Sequence, residues 1–463
     1  MRIIILGAGR VGESVAESLA LEQNDITVID PNADFVHALE DKYELRGVVG
    51  DGVQPSVLRQ AGAEDADMLI AATASDESNL VACKVAHAVF NVPTRVARIR
   101  SAEFKDKGPL LSKEGFAVDR VICPEDSVTR YIHQLIEHPE ALQVVNFSQG
   151  RAYLVAVRVS EHSDLAGSTI GAFAERHPEV EMRIVAVYRI DFELSDAPDT
   201  VVRAGDEVFV IVERDNVRHT LRVIAGQERA VRRVMIAGGG RVGLRLARSL
   251  ESDYEVKIIE HDRQRCEQLA HELHSGATLV LHGDVSDEEM LTDENVGDMD
   301  LFLALTNDDE DNILASMLAK RLGARRVLAL INRRAYADMM QGSTIDIAVS
   351  PAHAVIGELL ADVRRGAVAA VHSLRRGTAE ALEGVVHGDA RTSKLVGKRV
   401  DQLKLPRGAR MGAIVRGAGD ECRVLMPHHD SVIETGDHVI IFMAHKRMLR
   451  DVEKLFQVSA TFM

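Results

Sequence analysis

Two glycine clusters in this chain carry the spacing of a diphosphate-binding turn. Gly7-Ala8-Gly9-Arg10-Val11-Gly12 follows the apolar run Arg2–Leu6, and Gly238-Gly239-Gly240-Arg241-Val242-Gly243 follows Arg233–Ala237, about half of the 463-residue chain further on. In each cluster the first glycine permits a tight turn and the second lets the backbone approach a diphosphate. The third lets the next helix pack close to the strand. A helix that starts directly after the turn contributes unpaired N–H groups and a partial positive charge. Roughly twenty residues on, the runs Ile26–Asp30 and Val256–Glu260 each end in an acid. A carboxylate there accepts both hydroxyls of a ribose and repels a 2′-phosphate, which favours NAD(H) or an adenine nucleotide over NADP(H). The opposing reading is a unit of the same shape that has lost its ligand.

Other residues recur in step with the glycines. Arg10 and Arg241 hold the same loop position, either adding a charge-assisted bond to a phosphate or standing exposed at a helix start. Asp51 and Asp284 follow Gly50 and Gly283 at strand ends, where they contact an adenine edge or cap the next helix. Thr73 and Thr306 end a fourth apolar run, at the sheet edge where ligands of open α/β folds bind. Asn79 and Asn312 follow these threonines at one spacing, and Val121–Pro124 corresponds to Ala348–Pro351. Arg98, in Arg95-Val-Ala-Arg98-Ile-Arg100, is within reach of a phosphate. Its counterpart is Leu330, with Asn332 opposite Arg100, so the two sites differ in affinity or ligand.

The elements that must hold these residues follow from the order strand, glycine turn, helix, strand ending in an acid. A second, smaller repeat follows each: Leu165-Ala-Gly167 aligns with Leu395-Val-Gly397, and Ala204-Gly-Asp206 with Thr435-Gly-Asp437. The chain therefore reads as A–B–A′–B′, near 1–140, 141–227, 228–366 and 367–463, with Gln227–Arg233 as the junction. The fold class is α/β: two Rossmann-like, doubly wound parallel-sheet domains, each followed by a small α+β domain. No low-complexity tract separates the units, so they are expected to pack together.

Composition narrows the function. A formal charge of −16 disfavours nucleic acid and anionic lipid, although an acidic chain can still dock on the Lys- and Arg-rich cytoplasmic loops of a membrane protein. No apolar run is long enough to cross a bilayer, and Met1–Leu6 reads as a strand and not as a signal peptide. Four scattered cysteines without CxxC spacing point to a reducing cytoplasm. His271 and His274 lack the spacing and third ligand of a zinc site, so no metal is expected. Nucleophile motifs and a Walker A loop are missing, and the B units offer no general acid or base for a dehydrogenase. A sensor is favoured over an NAD-dependent oxidoreductase, and no catalytic residue is assigned.

The A–B–A′–B′ order, the paired GxGRVG loops, Asp30 and Glu260, the two Gly-Asp pairs and Pro124/Pro351 resemble the TrkA family. These are regulatory subunits of bacterial Trk potassium uptake systems, built from two tandem regulator-of-K⁺-conductance units. The likeness spans essentially the whole chain, and its specificity lies in the duplication. It implies a homotetrameric ring on the cytoplasmic face of the membrane, beneath a potassium-translocating subunit of the TrkH or TrkG type. It implies that the A units bind NAD⁺/NADH or ATP/ADP and that the B units help assemble the ring. The first implied site is Gly7 to Gly12, Asp30, Asp51, Thr73, Ala74 and Arg98. The second is Gly238 to Gly243, Glu260, Asp284 and Thr306. A regulator of a different cation transporter is the alternative.

Overall fold

The computed structural model describes the chain except residues 21–23, 106–107, 191, 195, 227–229, 274–275, 277, 334–335, 337–338, 341–343, 352–358, 360–367, 376–377, 418 and 459–463. His274, the first three residues of the expected junction and the expected boundary at 366 lie outside the described residues. Two compact units are present, one built on Met1–Val128 and the other on Thr129–Leu330 with Arg364–Met463.

The first six strands are β1 (Arg2–Leu6), β2 (Asp25–Asp30), β3 (Arg46–Val49), β4 (Met68–Ala71), β5 (Thr94–Arg98) and β6 (Arg120–Ile122). They form one parallel sheet in the order β3-β2-β1-β4-β5-β6. Ile3 to Leu6 and Met68 to Ala71 are all 2 % exposed or less, as expected of strands covered by helices on both faces. The strand order reverses between β1 and β4, which opens a crevice at their carboxyl ends.

The next five strands, β7 (Ala141–Phe147), β8 (Ala152–Arg158), β9 (Met182–Arg189), β10 (Phe192–Leu194) and β11 (Glu207–Glu213), form an antiparallel sheet ordered β10-β9-β11-β8-β7. A second parallel sheet follows from β12 (Arg233–Ala237), β13 (Glu255–Glu260), β14 (Thr278–His282), β15 (Leu301–Ala304), β16 (Arg326–Leu330) and β17 (Ile347–Val349). Its order, β14-β13-β12-β15-β16-β17, repeats the first. The last sheet comprises β18 (Val368–Leu374), β19 (Ala379–Val385), β20 (Ala409–Arg416), β21 (Arg423–Leu425) and β22 (His438–Met443), ordered β18-β19-β22-β20-β21. Read from its other edge, that is the topology of the β7–β11 sheet.

The same turn closes both antiparallel sheets. Gly205 and Gly436 take left-handed backbones, φ 87° and 86°, and the acids after them are nearly inaccessible. Both oxygens of Asp206 accept from Arg189 at 2.8 Å, and both oxygens of Asp437 accept from Arg416 at 2.8 Å. Burial alone would raise the Asp206 carboxyl, but Arg189 and the Arg203 N–H hold it below the usual carboxylate range.

The two antiparallel sheets share one core, in which Phe147, Phe209, Ile211, Leu374, Ile440 and Phe442 are buried together. Phe209 and Phe442 lie 5.8 Å apart between ring centroids. A Cβ on Gly412 would come within 1.9 Å of Ile211 Cδ1, so this glycine lets β20 approach the other sheet. B and B′ thus pack together as expected.

Candidate functional site

The glycine loops sit at the carboxyl ends of β1 and β12, where the crevice opens. Gly7 (φ 102°) and Gly238 (φ 107°) turn the chain in the left-handed region, which glycine enters without strain. Each donates its N–H at 2.8 Å to a carbonyl of the neighbouring strand, Ile29 or Ile259. A Cβ on Gly12 would lie 1.8 Å from the Gly7 oxygen, and one on Gly243 would lie 2.0 Å from the Gly238 oxygen. These glycines therefore fix how closely the helices Arg10–Ala20 and Arg241–Leu250 pack on the turn. Gly9 and Gly240 differ in kind, because nothing lies within 4 Å of a Cβ built on either. Their open side is where a diphosphate can approach the first N–H groups of the helix.

The strand-end acids organise these loops. Asp30 accepts the Ala8 N–H at 2.7 Å through one oxygen and the Asn32 N–H at 2.8 Å through the other. Glu260 repeats both bonds, from Gly239 at 2.8 Å and from Asp262 at 3.0 Å. Each carboxylate oxygen can accept more than one hydrogen bond, so both acids keep acceptor capacity for ribose hydroxyls. Val11 and Val242 lie within the first turns of their helices, and Arg10 and Arg241 are exposed at the helix starts.

At the end of the fourth strand, Thr73 is fastened to Asn79, whose side-chain oxygen accepts from the Thr73 N–H at 2.9 Å and from its hydroxyl at 2.7 Å. The Asn79 amide donates to the Arg98 carbonyl at 2.8 Å. Thr306, Asn312 and Leu330 repeat the arrangement at 2.8, 2.8 and 2.8 Å. Both asparagines are fully buried. The strut ties the ends of adjacent strands together and aligns Arg98 with Leu330. Ala74, on the same rim, accepts from Arg100 through its carbonyl.

Asp51 and Asp284 cap no helix. The cap positions fall to Gln54 and to Asp287, which accepts from Glu289 and Met290. Asp51 instead turns back to the Val53 N–H at 3.2 Å. Asp284 accepts the Ser286 N–H and hydroxyl at 2.9 and 2.7 Å, and these bonds hold its carboxyl below the usual range.

Beyond the Arg100/Asn332 difference, the two sites diverge around Arg98 and around the second glycine loop. Arg98 pairs with Glu125 at 2.9 Å, each side chain 14 % exposed. Burial would raise the Glu125 carboxyl, but the Arg98 charge and hydrogen bond bring it below the usual range. The repeat has Leu330, buried, and Ala352 at these two positions. Arg265 in the second unit donates to the Gly239 carbonyl at 2.9 Å and to Gln268 at 3.0 Å. Phe35 stands at that position in the first unit, half exposed. Among the described residues, all four cysteines are free thiols, no His/Cys/Asp/Glu group is placed to hold a metal, and no helix is long and apolar enough to cross a membrane.

The model of the TrkA-N domain matches residues 3–124 and 234–351, and that of the TrkA-C domain matches 154–225 and 390–457. The chain belongs to the TrkA family. It is 50 % identical over 462 residues to the Trk system potassium uptake protein TrkA of Halomonas elongata, and 47 % identical over 464 residues to that of Vibrio alginolyticus; each alignment covers 100 % of both chains. Among solved structures it resembles the GsuK RCK domain (TM-score 0.61, 18 % identity, 98 % of this chain and 94 % of that one). It also resembles the GsuK channel bound to NAD (TM-score 0.60, 17 % identity, 98 % of this chain and 78 % of that one). At such identities the likeness concerns the fold.

Three features of this TrkA-family chain escaped the sequence reading. The recurring Asn79 and Asn312 were visible as a repeat, and only the structure makes them struts. Glu125 carried a signal in the repeat itself, since the chain changes Arg98 and Glu125 together, to Leu330 and Ala352. Arg265 carried none toward the glycine loop, because its partner there is a backbone carbonyl.

Proposed function

We propose that this chain is the nucleotide-sensing regulatory subunit of a Trk-type potassium uptake system. NAD⁺ or NADH, and in competition ATP or ADP, bind at the two glycine loops. The diphosphate lies over Gly9 and Gly240 beside Arg10, Val11, Arg241 and Val242. The ribose hydroxyls bind Asp30 or Glu260. Asp51, Thr73, Ala74 and Arg98 complete the first site, and Asp284 and Thr306 the second. The protein acts without catalysis, as a homotetrameric ring on the cytoplasmic face of the membrane, and gates a potassium-translocating subunit of the TrkH or TrkG type. What carries this reading is the duplicated loop whose middle glycine stays uncovered while the acid beside it accepts an N–H of the loop. The names of its full-length relatives support potassium uptake, and a fold neighbour bound to NAD supports the ligand.

Gating of this kind requires a nucleotide to bind one ring shape more tightly than the other. Moving a ring from mostly closed to mostly open takes about 5.5 kcal/mol in total, which several sites can share. The test is potassium uptake in cells that lack their own TrkA but keep the membrane subunit. The chain is expected to restore uptake, and Asp30→Ala to blunt its regulation together with NADH affinity measured by calorimetry. No restoration with a cognate membrane subunit present would overturn the assignment, and unchanged NADH affinity in Asp30→Ala would remove that residue from the site.

A further inference from the structure

The contact between the β7–β11 sheet and the β18–β22 sheet is built on a repeat, so it has two equivalent corners, and these differ in chemistry. At each corner the turn between the first two strands of one sheet reaches the other sheet. Ser148 (φ 48°) and Arg375 (φ 44°) are the equivalent turn residues, both with the left-handed backbone that costs a non-glycine residue energy. A strained residue persists where its surroundings over-determine it, and both turns are held from across the contact.

The Arg375 corner is permanently charged. Its guanidinium lies 3.9 Å from the Tyr188 ring centroid, 3.5 Å from the Glu207 carboxylate, and donates to the Ile190 carbonyl at 3.0 Å. Arginine stays protonated at any physiological pH. The Ser148 corner centres on Glu383, which is 3 % exposed. Its carboxylate accepts the Ser148 N–H at 2.9 Å and hydroxyl at 2.8 Å, and the Nδ1–H of His438 at 2.5 Å. In the repeat, Glu207 stands where His438 does and Ala156 where Glu383 does, so among the described residues an acid–histidine pair is present at the Ser148 corner alone.

We propose that Ser148, Glu383 and His438 form a proton-gated latch between the B and B′ domains, closed while the His438 imidazole is protonated and loosened when it is neutral. The buried carboxylate needs a compensating cation, and removing that charge leaves it with neutral donors only. The charged groups facing His438 are Glu383 on β19 and, next to it in sequence, Asp437, which Arg416 on β20 already neutralises. His372 on β18 approaches the same carboxylate, but its ring bonds to the Asn146 carbonyl at 2.9 Å. Burial pushes the His372 pKa down, while the Glu383 hydrogen bond raises that of His438. His438 therefore carries its proton in a range where His372 is already neutral. A histidine raised in the folded state contributes stability that is complete below its unfolded pKa and is lost as pH rises through the folded one.

The test is hydrogen exchange on the full-length chain from about pH 5 to 8, corrected for intrinsic rates. Protection of the Ser148–Gly150 turn and of β19 is expected to fall several-fold as pH rises, while the turn at Arg375 shows no such step. His438→Gln is expected to abolish the step. A step that survives in His438→Gln, or none in the parent chain, overturns the latch. A second measurement does not depend on the variant folding: the His438 pKa, read by NMR in the parent chain, is expected to exceed that of a free histidine, and a value at or below it also overturns the proposal.

Discussion

Substituting alanine for Gly9 separates the demands of the fold from those of a ligand. A Cβ at this position meets nothing within 4 Å, and the backbone there is outside the left-handed region. The methyl group is thus accommodated without a clash, and the lost flexibility of the unfolded chain is worth about 0.4–1 kcal/mol in favour of the variant. Thermal unfolding of Gly9→Ala is therefore expected to stay close to that of the parent. Binding is a different matter, because the methyl would occupy the space proposed for the approach of a diphosphate to the helix N-terminus. Displacing one charge-assisted bond costs about 1.5–3 kcal/mol, or roughly ten- to hundred-fold in affinity. Isothermal titration with NADH should then show one high-affinity site fewer per chain, and the Gly9→Ala/Gly240→Ala chain should show neither. A folded double variant with undiminished NADH binding would refute the placement of the ligand over these loops. A Gly9→Ala chain that fails to fold would refute the claim that the position is open.

Three further outcomes follow from the same geometry. Gly12→Ala forces a methyl into the Gly7 carbonyl and should destabilise by about 1–3 kcal/mol or more in chemical denaturation, a loss that Gly9→Ala does not share. Asn79→Ala removes a fully buried strut and leaves the Arg98 carbonyl without that donor, so a loss of about 2–4 kcal/mol is expected, with a similar loss for Asn312→Ala. Asp206 has a folded pKa below the usual range, so its contribution is present above the unfolded carboxylate pKa and is lost as pH falls through the folded value; Asp206→Asn should flatten the acid limb of a stability–pH curve.

The parallel sheets and their loops were legible because their signals are local: a continuous apolar run, a glycine triplet, an acid at a strand end. The duplication strengthened each signal by showing it twice. Side-chain partners were less accessible. Asp51 and Asp284 stood one turn ahead of a helix and invited a capping role, but Asp287 and Gln54 lie nearer the helix start and take the position. That the units pack together was expected, but which faces of the two antiparallel sheets meet was invisible, because an alternating strand reports that one face is buried and not what covers it. Gly412 illustrates the point, since its role is set by Ile211, some two hundred residues earlier in sequence.

The exchange of Arg98 and Glu125 for Leu330 and Ala352 poses a question that a mutant cycle answers. If the pair exists to hold Arg98 at the rim of the first site, its two members should be costly to remove singly and cheaper to remove together. Arg98→Leu removes the Arg98 charge from beside Glu125, 14 % exposed, and about 2–4 kcal/mol of destabilisation is expected once the buried-pair figure is discounted for that exposure. Arg98→Leu/Glu125→Ala copies the composition of the second unit and should recover at least 1 kcal/mol of that loss. Nucleotide affinity should not recover with it if Arg98 contacts the phosphate as proposed, because that guanidinium is still missing. Single losses that simply add would show that the pair is incidental to the fold. Affinity that returns with stability would show that Arg98 serves the fold and not the ligand, and any inequality of the two sites would then have to rest on other differences, such as Phe35 against Arg265 or Arg100 against Asn332.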